Sequence, residues 1–257
     1  MTSFYKYQGT GNDFIIIDNR QKKIILSEQQ INFLCDRKFG IGADGLMLLQ
    51  EKEGYDFEMI YYNADGKLGS MCGNGSRCLT QFAFDCSIVK DHYKFIASDG
   101  EHESEFDNKN WIRIKMIDVN EVDDYDGDFI LNTGSPHYIK NVRNVNEVDV
   151  YQDGKKIRYN DFFNANGINV NFVEKINSST IKVRTYERGV EAETLSCGTG
   201  VTASALLSFY TDGFNKINVE TSGGNLIVEF EKTGENIFKN VWLCGPATFV
   251  FKGEINF

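Results

Sequence analysis

The stretch GSMCGNGSRC, residues 69–78, places a cysteine among glycines directly before a segment with helical spacing. A second stretch, ETLSCGTGVTAS at residues 193–204, has the same arrangement. The segment that follows each cysteine is apolar on nearly every side, which is typical of a helix buried inside the protein. Each stretch therefore predicts a buried helix that begins directly after a cysteine, Cys72 in the first case and Cys197 in the second.

The similarity extends well beyond these two stretches. Shifting the sequence against itself by about 124 residues aligns several strand-like and turn-forming segments in the same order. The aligned pairs are residues 55–66 with 179–190, 97–106 with 221–230, and 10–15 with 133–139, and Cys72 falls close to Cys197. Several matches at nearly one offset make chance similarity a poor explanation. The chain is therefore predicted to contain two related halves, each built of strands around one helix.

The fold class that follows is α+β, with two pseudo-symmetric halves, each a barrel-like mixed or antiparallel sheet wrapped around a buried central helix. We expect the N-terminal half to span residues 1–118, with a C-terminal strand at 249–257 returning to it, and the C-terminal half to span 119–248. The acidic segment 118–128 has no apolar periodicity and is predicted to connect the halves. The active site is expected in the cleft between them.

A different kind of helix is predicted at residues 27–40, where apolar side chains recur on one face only. Ser27 and Gln30 have the spacing of a capping box at its start, and Gly40 is expected at its end. Cys35 falls on the apolar face of this helix, so it is expected to be a core residue.

Composition limits the classes of partner. The chain has 257 residues with 37 acidic and 27 basic side chains, and its net charge of −10 disfavours binding to nucleic acid or to an anionic membrane. A small-molecule ligand is favoured instead. The first residues lack the features of a signal peptide, and no apolar run approaches the ~18 residues of a membrane span, so a cytoplasmic location is expected. There the six cysteines should be reduced thiols.

A cysteine at the start of a buried helix has a specific chemistry. The unpaired N–H groups and the positive end of the helix dipole favour a thiolate, and the same N–H groups can hold a carboxylate. Two such elements on opposite sides of one small carboxylic acid suit racemisation or epimerisation. One thiolate would remove the α-proton from one face, and the other cysteine, as a thiol, would deliver a proton to the opposite face.

Motifs along the whole chain resemble the diaminopimelate epimerase family in order and spacing. They are GTGNDF (9–14), FGIGADG (39–45), NADG (63–66), CGNGSRC (72–78), NVNFV (169–173), ERG (187–189), ETLSCGTG (193–200), GPA (245–247) and VFKGE (250–254). The resemblance implies interconversion of LL- and meso-diaminopimelate without pyridoxal phosphate or another cofactor, in the bacterial route to lysine and peptidoglycan precursors. It implies the same two-half fold, and a homodimer is the candidate oligomeric state.

The resemblance also assigns roles to individual residues. Cys72 and Cys197 match the two acid/base cysteines, and His137 and Glu187 match residues that tune the protonation of those cysteines. The matches to substrate-contacting residues are Asn12, Asn63, Gly73, Asn74, Asn169, Glu187, Arg188, Gly198 and Thr199. Amide side chains, backbone N–H groups and a carboxylate suit the ammonium and carboxylate groups at both ends of a diamino diacid.

Three features depart from the family pattern. Ser135 stands where the family often has asparagine, and Gly45 stands where many members have glutamine, so two side-chain contacts to the substrate are altered or lost. The loop at residues 187–198 is one residue longer than the common form. None of these departures affects the cysteines.

Three other functions stay open. A proline or hydroxyproline racemase would share the cysteine pair but typically carries histidine where this chain has Asn74. A non-catalytic amino-acid-binding protein would need neither cysteine, and a redox protein would need both sulfurs within bonding distance. No metal site is expected, because the cysteine spacing does not suit zinc. The cysteines expected to be core residues are Cys35, Cys78, Cys86 and Cys244.

Overall fold

The computed structural model describes residues 1–107 and 111–256. The chain forms two compact units, one of residues 1–114 with 245–257 and the other of residues 115–244. Both boundaries lie slightly before the positions 118 and 248 expected from the sequence. Among the described residues, none of the helices is long and apolar enough to cross a membrane.

The described residues of the first unit form strands and two helices. Its strands are β1 (Thr2–Gly9), β2 (Asn12–Asp18), β3 (Gly45–Gln50), β4 (Phe57–Asn63), β5 (His92–Ala97), β6 (Gly100–Phe106), β7 (Ile112–Lys115) and β17 (Thr248–Ile255), and its helices are α1 (Glu28–Cys35) and α2 (Gly73–Asp85). The closing segment of the chain forms β17, which pairs antiparallel with β1 from Thr2 opposite Ile255 onward.

The second unit has the same plan. Its strands are β8 (Asp123–Tyr125), β9 (Asp128–Asn132), β10 (Pro136–Val142), β11 (Asn169–Asn177), β12 (Thr180–Glu187), β13 (Ala192–Thr194), β14 (Gly213–Thr221), β15 (Gly224–Gly234) and β16 (Ile237–Gly245), and its helices are α3 (Val150–Arg158) and α4 (Gly198–Leu206). A short 3₁₀ turn, Val145–Glu147, precedes α3.

Strand pairing repeats between the units. In the first unit β1–β2, β3–β4 and β5–β6 are antiparallel while β2–β3 and β4–β5 are parallel. In the second unit β9–β10, β11–β12 and β14–β15 are antiparallel while β10–β11 and β12–β14 are parallel. The same alternation of pairing directions in the same chain order confirms the internal repeat predicted from the sequence.

Each unit encloses one helix, as the sequence predicts. α2 packs against β1, β2, β3, β4 and β6, and α4 packs against β10, β11, β12, β14 and β15. The first eight residues of α2 are all buried, and so is nearly all of α4. A helix in contact with five strands exposes little surface to water, and this explains why its sequence contains few charged residues.

The surface helix α1 begins as predicted but ends early. The side chain of Ser27 accepts a hydrogen bond from the backbone N–H of Gln30, and the Gln30 side chain completes the capping box. The prediction that the helix continues to Gly40 is wrong, because α1 ends at Cys35. The Asp36 backbone is extended, and its carboxylate accepts hydrogen bonds from two N–H groups that follow, at 2.7 and 2.8 Å. That turn competes with helix continuation.

The acidic segment 118–128 is folded into the second unit. Val119 forms an isolated bridge with Phe238, and residues 123–125 form β8, which pairs antiparallel with β9. The sequence analysis expects a connector here because the segment lacks apolar alternation. The bridge at Val119 depends on a partner far away in the sequence, and β8 has only three residues, too few to show apolar alternation.

Candidate active site

Cys72 is the residue that immediately precedes the first turn of α2. Its backbone is extended, with φ −110° and ψ 120°, and its side chain does not cap the helix. Sγ lies 3.7 Å from Oδ1 of Asn12, the first residue of β2. The positive end of the helix dipole therefore lies beside a partly exposed sulfur, where it stabilises negative charge.

The orientation of the Asn12 amide is fixed by a carboxylate. Its Nδ2 donates to Asp44 at 2.6 Å, so its Oδ1 faces the sulfur of Cys72 and also accepts from Nδ2 of Asn74 at 3.4 Å. The Asn12 oxygen is thus a hydrogen-bond acceptor beside the Cys72 sulfur. An acceptor in this place favours the protonated thiol.

A buried arginine, Arg77, donates hydrogen bonds to the residues next to Cys72. Arg77 is fully buried, and its guanidinium donates to Oδ1 of Asn74 at 2.9 Å and to the backbone carbonyl of Gly73 at 3.3 Å. It also donates to Oγ1 of Thr10 and to the carbonyl of Pro246, each at 3.3 Å. Arg77 therefore ties the first turn of α2 to the turn that precedes β2.

Ion pairs also stabilise the segment around Asn12. The carboxylate of Asp13 is bound by Lys6 at 2.8 Å and by Arg37 at 2.7 Å, and Arg37 also binds Asp44 at 2.7 Å. Burial would raise the pKa of Asp13, but its hydrogen bonds and ion pairs with Arg37 and Lys6 outweigh burial and lower the pKa to about 2. Asp13 is therefore charged at neutral pH, and the cluster fixes the position of the neighbouring Asn12.

Asn63 lies at the end of β4, opposite Gly45 of β3, and its side chain is exposed. Its backbone N–H donates to the carbonyl of Lys67, which closes the turn that carries the NADG motif. Its Nδ2 is 3.3 Å from the point where a Cβ on Gly69 would lie. The structure thus brings Asn12, Asn63 and the start of α2 into the same unit.

Cys197 has the equivalent position at the start of α4. Its backbone is again extended, with φ −114° and ψ 111°, and its side chain is buried and does not cap the helix. Sγ lies 3.5 Å from Oγ1 of Thr199, and Nε2 of His137 lies 2.8 Å from the same oxygen. His137 is fully buried on β10, beside Asn169 of the parallel strand β11.

The hydrogen-bond network fixes the direction of these contacts. Oδ1 of Asn171 accepts from Thr185 at 2.9 Å, so its Nδ2 must face the Tyr138 carbonyl and Nδ1 of His137, at 3.2 and 3.0 Å. Nδ1 of His137 then accepts, and its proton resides on Nε2. That N–H donates to Thr199, so the Thr199 hydroxyl hydrogen is available to donate to the sulfur of Cys197 when that sulfur is a thiolate.

His137 is neutral in this arrangement. Burial lowers its pKa, and the positive charge of Arg188 lowers it further, to about 3. The ring therefore acts as a fixed hydrogen-bond donor to Thr199 rather than as a cation. A hydroxyl donor directed at sulfur stabilises the thiolate form of Cys197, which is the opposite preference to that beside Cys72.

Asn169 and Arg188 form a second polar group in this unit. Nδ2 of Asn169 donates to Oγ of Ser135 at 2.9 Å, and the backbone N–H of Arg188 donates to Oδ1 of Asn169 at 2.9 Å. The exposed guanidinium of Arg188 lies 3.3 Å from the same Ser135 oxygen. Ser135 therefore orients both side chains. Glu187, at the end of β12, accepts from Thr194 at 2.8 Å.

The third residue of each helix is a glycine that faces a strand at close range. A Cβ on Gly75 would lie 2.7 Å from Cε of Met47, and a Cβ on Gly200 would overlap Oδ1 of Asn171. Met47 and Asn171 occupy equivalent positions, the third residues of β3 and β11. The glycines allow the first turn of each helix to pack closely against its strand.

The sequence analysis assigns no role to several residues at these sites, namely Thr10, Asp44, Arg77, Asn171 and Thr133, whose hydroxyl donates to the backbone carbonyl of Thr199 at 2.8 Å. Of these, Asn171 was detectable, because it matches apolar Met47 in the repeat. A polar residue at a core position must find hydrogen-bond partners, which indicates a specific role. Arg77 sits in the quoted motif, but its complete burial cannot be read from local spacing. Its counterpart in the second unit is Thr202, which donates to the carbonyl of Gly198 at 2.9 Å.

The other cysteines differ from this pair. None of the six forms a disulfide bond. Burial raises the pKa of Cys35 and of Cys78 to about 12 and that of Cys86 to about 11, so these remain protonated at neutral pH. Cys35, Cys78 and Cys244 are buried core residues, as expected, whereas Cys86 is only partly buried. Within residues 1–107 and 111–256, no group of three His, Cys, Asp or Glu side chains is arranged to hold a metal ion.

Comparison with known proteins identifies relatives over the full chain. A family model described as diaminopimelate epimerase matches residues 4–121 and 129–250. Curated diaminopimelate epimerases are 48% identical in Flavobacterium psychrophilum, covering 98% of this chain and 99% of the relative, and 42% identical in Chlorobaculum tepidum, covering 96% and 98%. The enzyme of that name from Aquifex aeolicus is 36% identical, covering 98% and 97%.

Solved structures show the same fold at much lower identity. A phenazine biosynthesis protein of the PhzF family from Bacillus anthracis has a TM-score of 0.77 and 14% identity, covering 100% of this chain and 99% of its own. A probable proline racemase from Agrobacterium radiobacter has a TM-score of 0.66 and 14% identity, covering 100% and 93%. The two-unit α+β architecture is therefore shared by proteins with different names.

Proposed function

Because the chain belongs to the diaminopimelate epimerase family, we propose that it interconverts LL- and meso-diaminopimelate without a cofactor, using Cys72 and Cys197 as the two acid/base groups. The relatives that carry this name match nearly the entire chain, and both cysteines stand at the start of a buried helix.

The observation that carries the proposed mechanism is the opposite hydrogen-bonding of the two sulfurs. Cys72 has an acceptor beside it, the oriented Asn12 oxygen, whereas Cys197 has a donor, the Thr199 hydroxyl. A two-base epimerisation needs one thiolate to take the α-proton and one thiol to deliver a proton to the other face. We assign the resting thiol to Cys72 and the resting thiolate to Cys197. After one turnover the two protonation states are exchanged.

We propose that the first residues of both cysteine-bearing helices hold the reacting end of the substrate. Backbone N–H groups at Gly73 and Asn74, and at Gly198 and Thr199, begin helices and suit the carboxylate at the reacting carbon. Their partial positive charges would also stabilise the negative charge that develops there when the α-proton leaves.

The distant end of the substrate would contact the remaining polar side chains. Arg188 suits a carboxylate as a charged donor, and the amides of Asn12, Asn63 and Asn169 suit either a carboxylate or an ammonium group. Glu187 suits an ammonium group. A substrate with only one amino-acid end would leave several of these groups unused, which favours a diamino diacid over proline.

The experiment is proton NMR of LL-diaminopimelate in deuterated water with purified, reduced protein and no added cofactor. We expect deuterium to enter the α-carbon as the meso isomer forms. Cys72→Ser and Cys197→Ser should each slow epimerisation by about 100-fold or more, in line with loss of a general acid or base. Cys86→Ser is the matched control, since Cys86 lies at the far end of α2, and it should retain activity.

Other outcomes would select the alternatives. Exchange of proline but not of diaminopimelate would indicate a proline-type racemase. Exchange of neither substrate would favour an amino-acid-binding protein. Full activity in either of the two serine variants would disprove the two-cysteine mechanism while leaving the substrate assignment intact.

We further propose a cytoplasmic location, in keeping with six cysteines of which none forms a disulfide bond. The homodimer stays a prediction, to be tested by light scattering coupled to size-exclusion chromatography of the purified protein.

A further inference from the structure

The repeat exposes one position where the two units differ near the cysteines. Asn169 begins β11, and Gly45 begins β3 at the equivalent place. In the second unit the Asn169 side chain is hydrogen-bonded to Ser135 and to the backbone N–H of Arg188. In the first unit the matching residue has no side chain at all.

The space that a side chain at position 45 would take is filled by Tyr61. A Cβ built on Gly45 would lie 2.6 Å from Cε2 of Tyr61 and 3.1 Å from its hydroxyl oxygen. The same Cβ would lie 2.6 Å from the backbone carbonyl oxygen of Tyr62. Glycine at 45 is therefore required by the neighbouring strand, and the phenol of Tyr61 occupies the place of the missing side chain.

Tyr61 lies on the face of the strands that carries the first cysteine. Along β4, Phe57, Met59 and Tyr61 pack with residues of α2 in one core cluster, whereas Ile60 and Tyr62 pack in the separate cluster that contains α1.

The neighbours of Tyr61 also point to the start of α2. Met47, the cross-strand partner of Tyr61, is the residue that meets Gly75 in the first turn of α2. Tyr61 is only partly buried, between the edge-on ring of Phe14 at 6.0 Å and Gly69, whose Cβ would lie 2.7 Å from the Tyr61 ring.

We infer that Tyr61 is a substrate-contacting residue, its hydroxyl hydrogen-bonding a polar group of the substrate in place of the side chain that Gly45 lacks. The inference rests on the proposed function, because it needs a diamino diacid bound beside Cys72. A phenol can both donate and accept a hydrogen bond, so it can serve either a carboxylate or an ammonium group. The ring itself also closes the gap that glycine leaves beside Asn63, which lies opposite Gly45.

The test compares Tyr61→Phe with Tyr62→Phe in the deuterium-exchange assay. Both changes remove one hydroxyl from adjacent residues of β4, but only Tyr61 packs on the α2 side. We expect kcat/KM for diaminopimelate to fall by about 10-fold or more in Tyr61→Phe, the usual effect of losing a hydrogen bond to a charged group. Tyr62→Phe should match the wild type, and both variants should keep the wild-type melting temperature.

The outcomes separate this inference from the proposed function. Wild-type activity in Tyr61→Phe, with the wild-type enzyme active on diaminopimelate, would overturn the role of Tyr61 and leave the proposed function standing. An equal loss of kcat/KM in Tyr61→Phe and Tyr62→Phe would also overturn the role of Tyr61, because these residues lie on opposite faces of β4. If the wild type does not epimerise diaminopimelate, the proposed function and this inference fail together.

Discussion

Nε2 of His137 lies 2.8 Å from Oγ1 of Thr199. Because Asn171 donates to the other ring nitrogen, the His137 proton is on the Thr199 side and the hydroxyl of Thr199 is free to donate to Cys197. A chain of three side chains thus ends in a donor at the sulfur. The histidine never needs to carry a charge for this contact, which accords with its complete burial.

The hydroxyl of Thr199 should be needed for catalysis. Thr199→Val removes the donor to the Cys197 sulfur at nearly constant volume, and we expect kcat to fall by about 10-fold or more. Thr199→Ser keeps the hydroxyl and should retain most of the activity. The measurement is the initial rate of α-proton exchange at saturating diaminopimelate. Equal rates in the valine and serine variants would show that the hydroxyl has no role at the sulfur.

His137 should make stability depend on pH. In the unfolded chain a histidine takes up a proton below about pH 6.5, whereas the folded site resists protonation until about pH 3. The unfolded state therefore binds more protons between these values, so the His137 contribution to the free energy of unfolding is lost as pH falls from 6.5 to 3. The loss is at most about 1.4 kcal/mol per pH unit.

Urea unfolding of wild type and His137→Gln at pH 7, 6, 5 and 4 measures this effect. The difference in free energy of unfolding between the two proteins should shrink as the pH is lowered, because glutamine does not titrate. His92→Gln, at an exposed position on β5, is the matched control. A difference that stays constant across the series would mean that His137 titrates in the folded protein as it does in the unfolded chain.

Arg77 should contribute strongly to stability. Arg77→Met keeps a long side chain but removes the donors to Asn74, Thr10 and two backbone carbonyls, leaving buried acceptors unpaired. We expect a loss of about 3 kcal/mol or more in the free energy of unfolding, measured by urea titration. Arg20→Met removes a partly exposed ion pair with Asp18 and should cost about 1 kcal/mol or less. Similar losses in the two variants would contradict the supporting role of Arg77.

The two helix glycines should respond differently to alanine. In Gly75→Ala the new methyl group meets the mobile end of Met47, which can move, and the helix gains up to about 1 kcal/mol from the better helix former. In Gly200→Ala the methyl group displaces the Asn171 amide, which is fixed by hydrogen bonds to His137 and Thr185.

We therefore expect Gly75→Ala to be close to wild type in melting temperature and activity, and Gly200→Ala to lose both. Differential scanning calorimetry and the exchange assay provide the two readouts. If Gly75→Ala and Gly200→Ala change the melting temperature and the activity equally, then the hydrogen bonds that fix Asn171 do not determine how each site tolerates alanine.

The sequence by itself determined the two-fold repeat, the two enclosed helices and the cysteine that begins each of them. These features are local or periodic, since a helix apolar on all sides can only be buried and a glycine-flanked cysteine at its start is visible in one short motif. The capping box of α1 was predictable for the same reason, because its two partners are three residues apart.

The tertiary structure alone decided which groups surround each sulfur. The Asn12 amide takes its direction from Asp44, the His137 proton takes its place from Asn171, and the gap at Gly45 is filled by Tyr61 from the next strand. Each of these relationships joins residues from separate segments of the chain, and hydrogen-bond direction depends on every partner in the network. Strand pairing distant in sequence sets those partners, so no local pattern in the chain could have specified them.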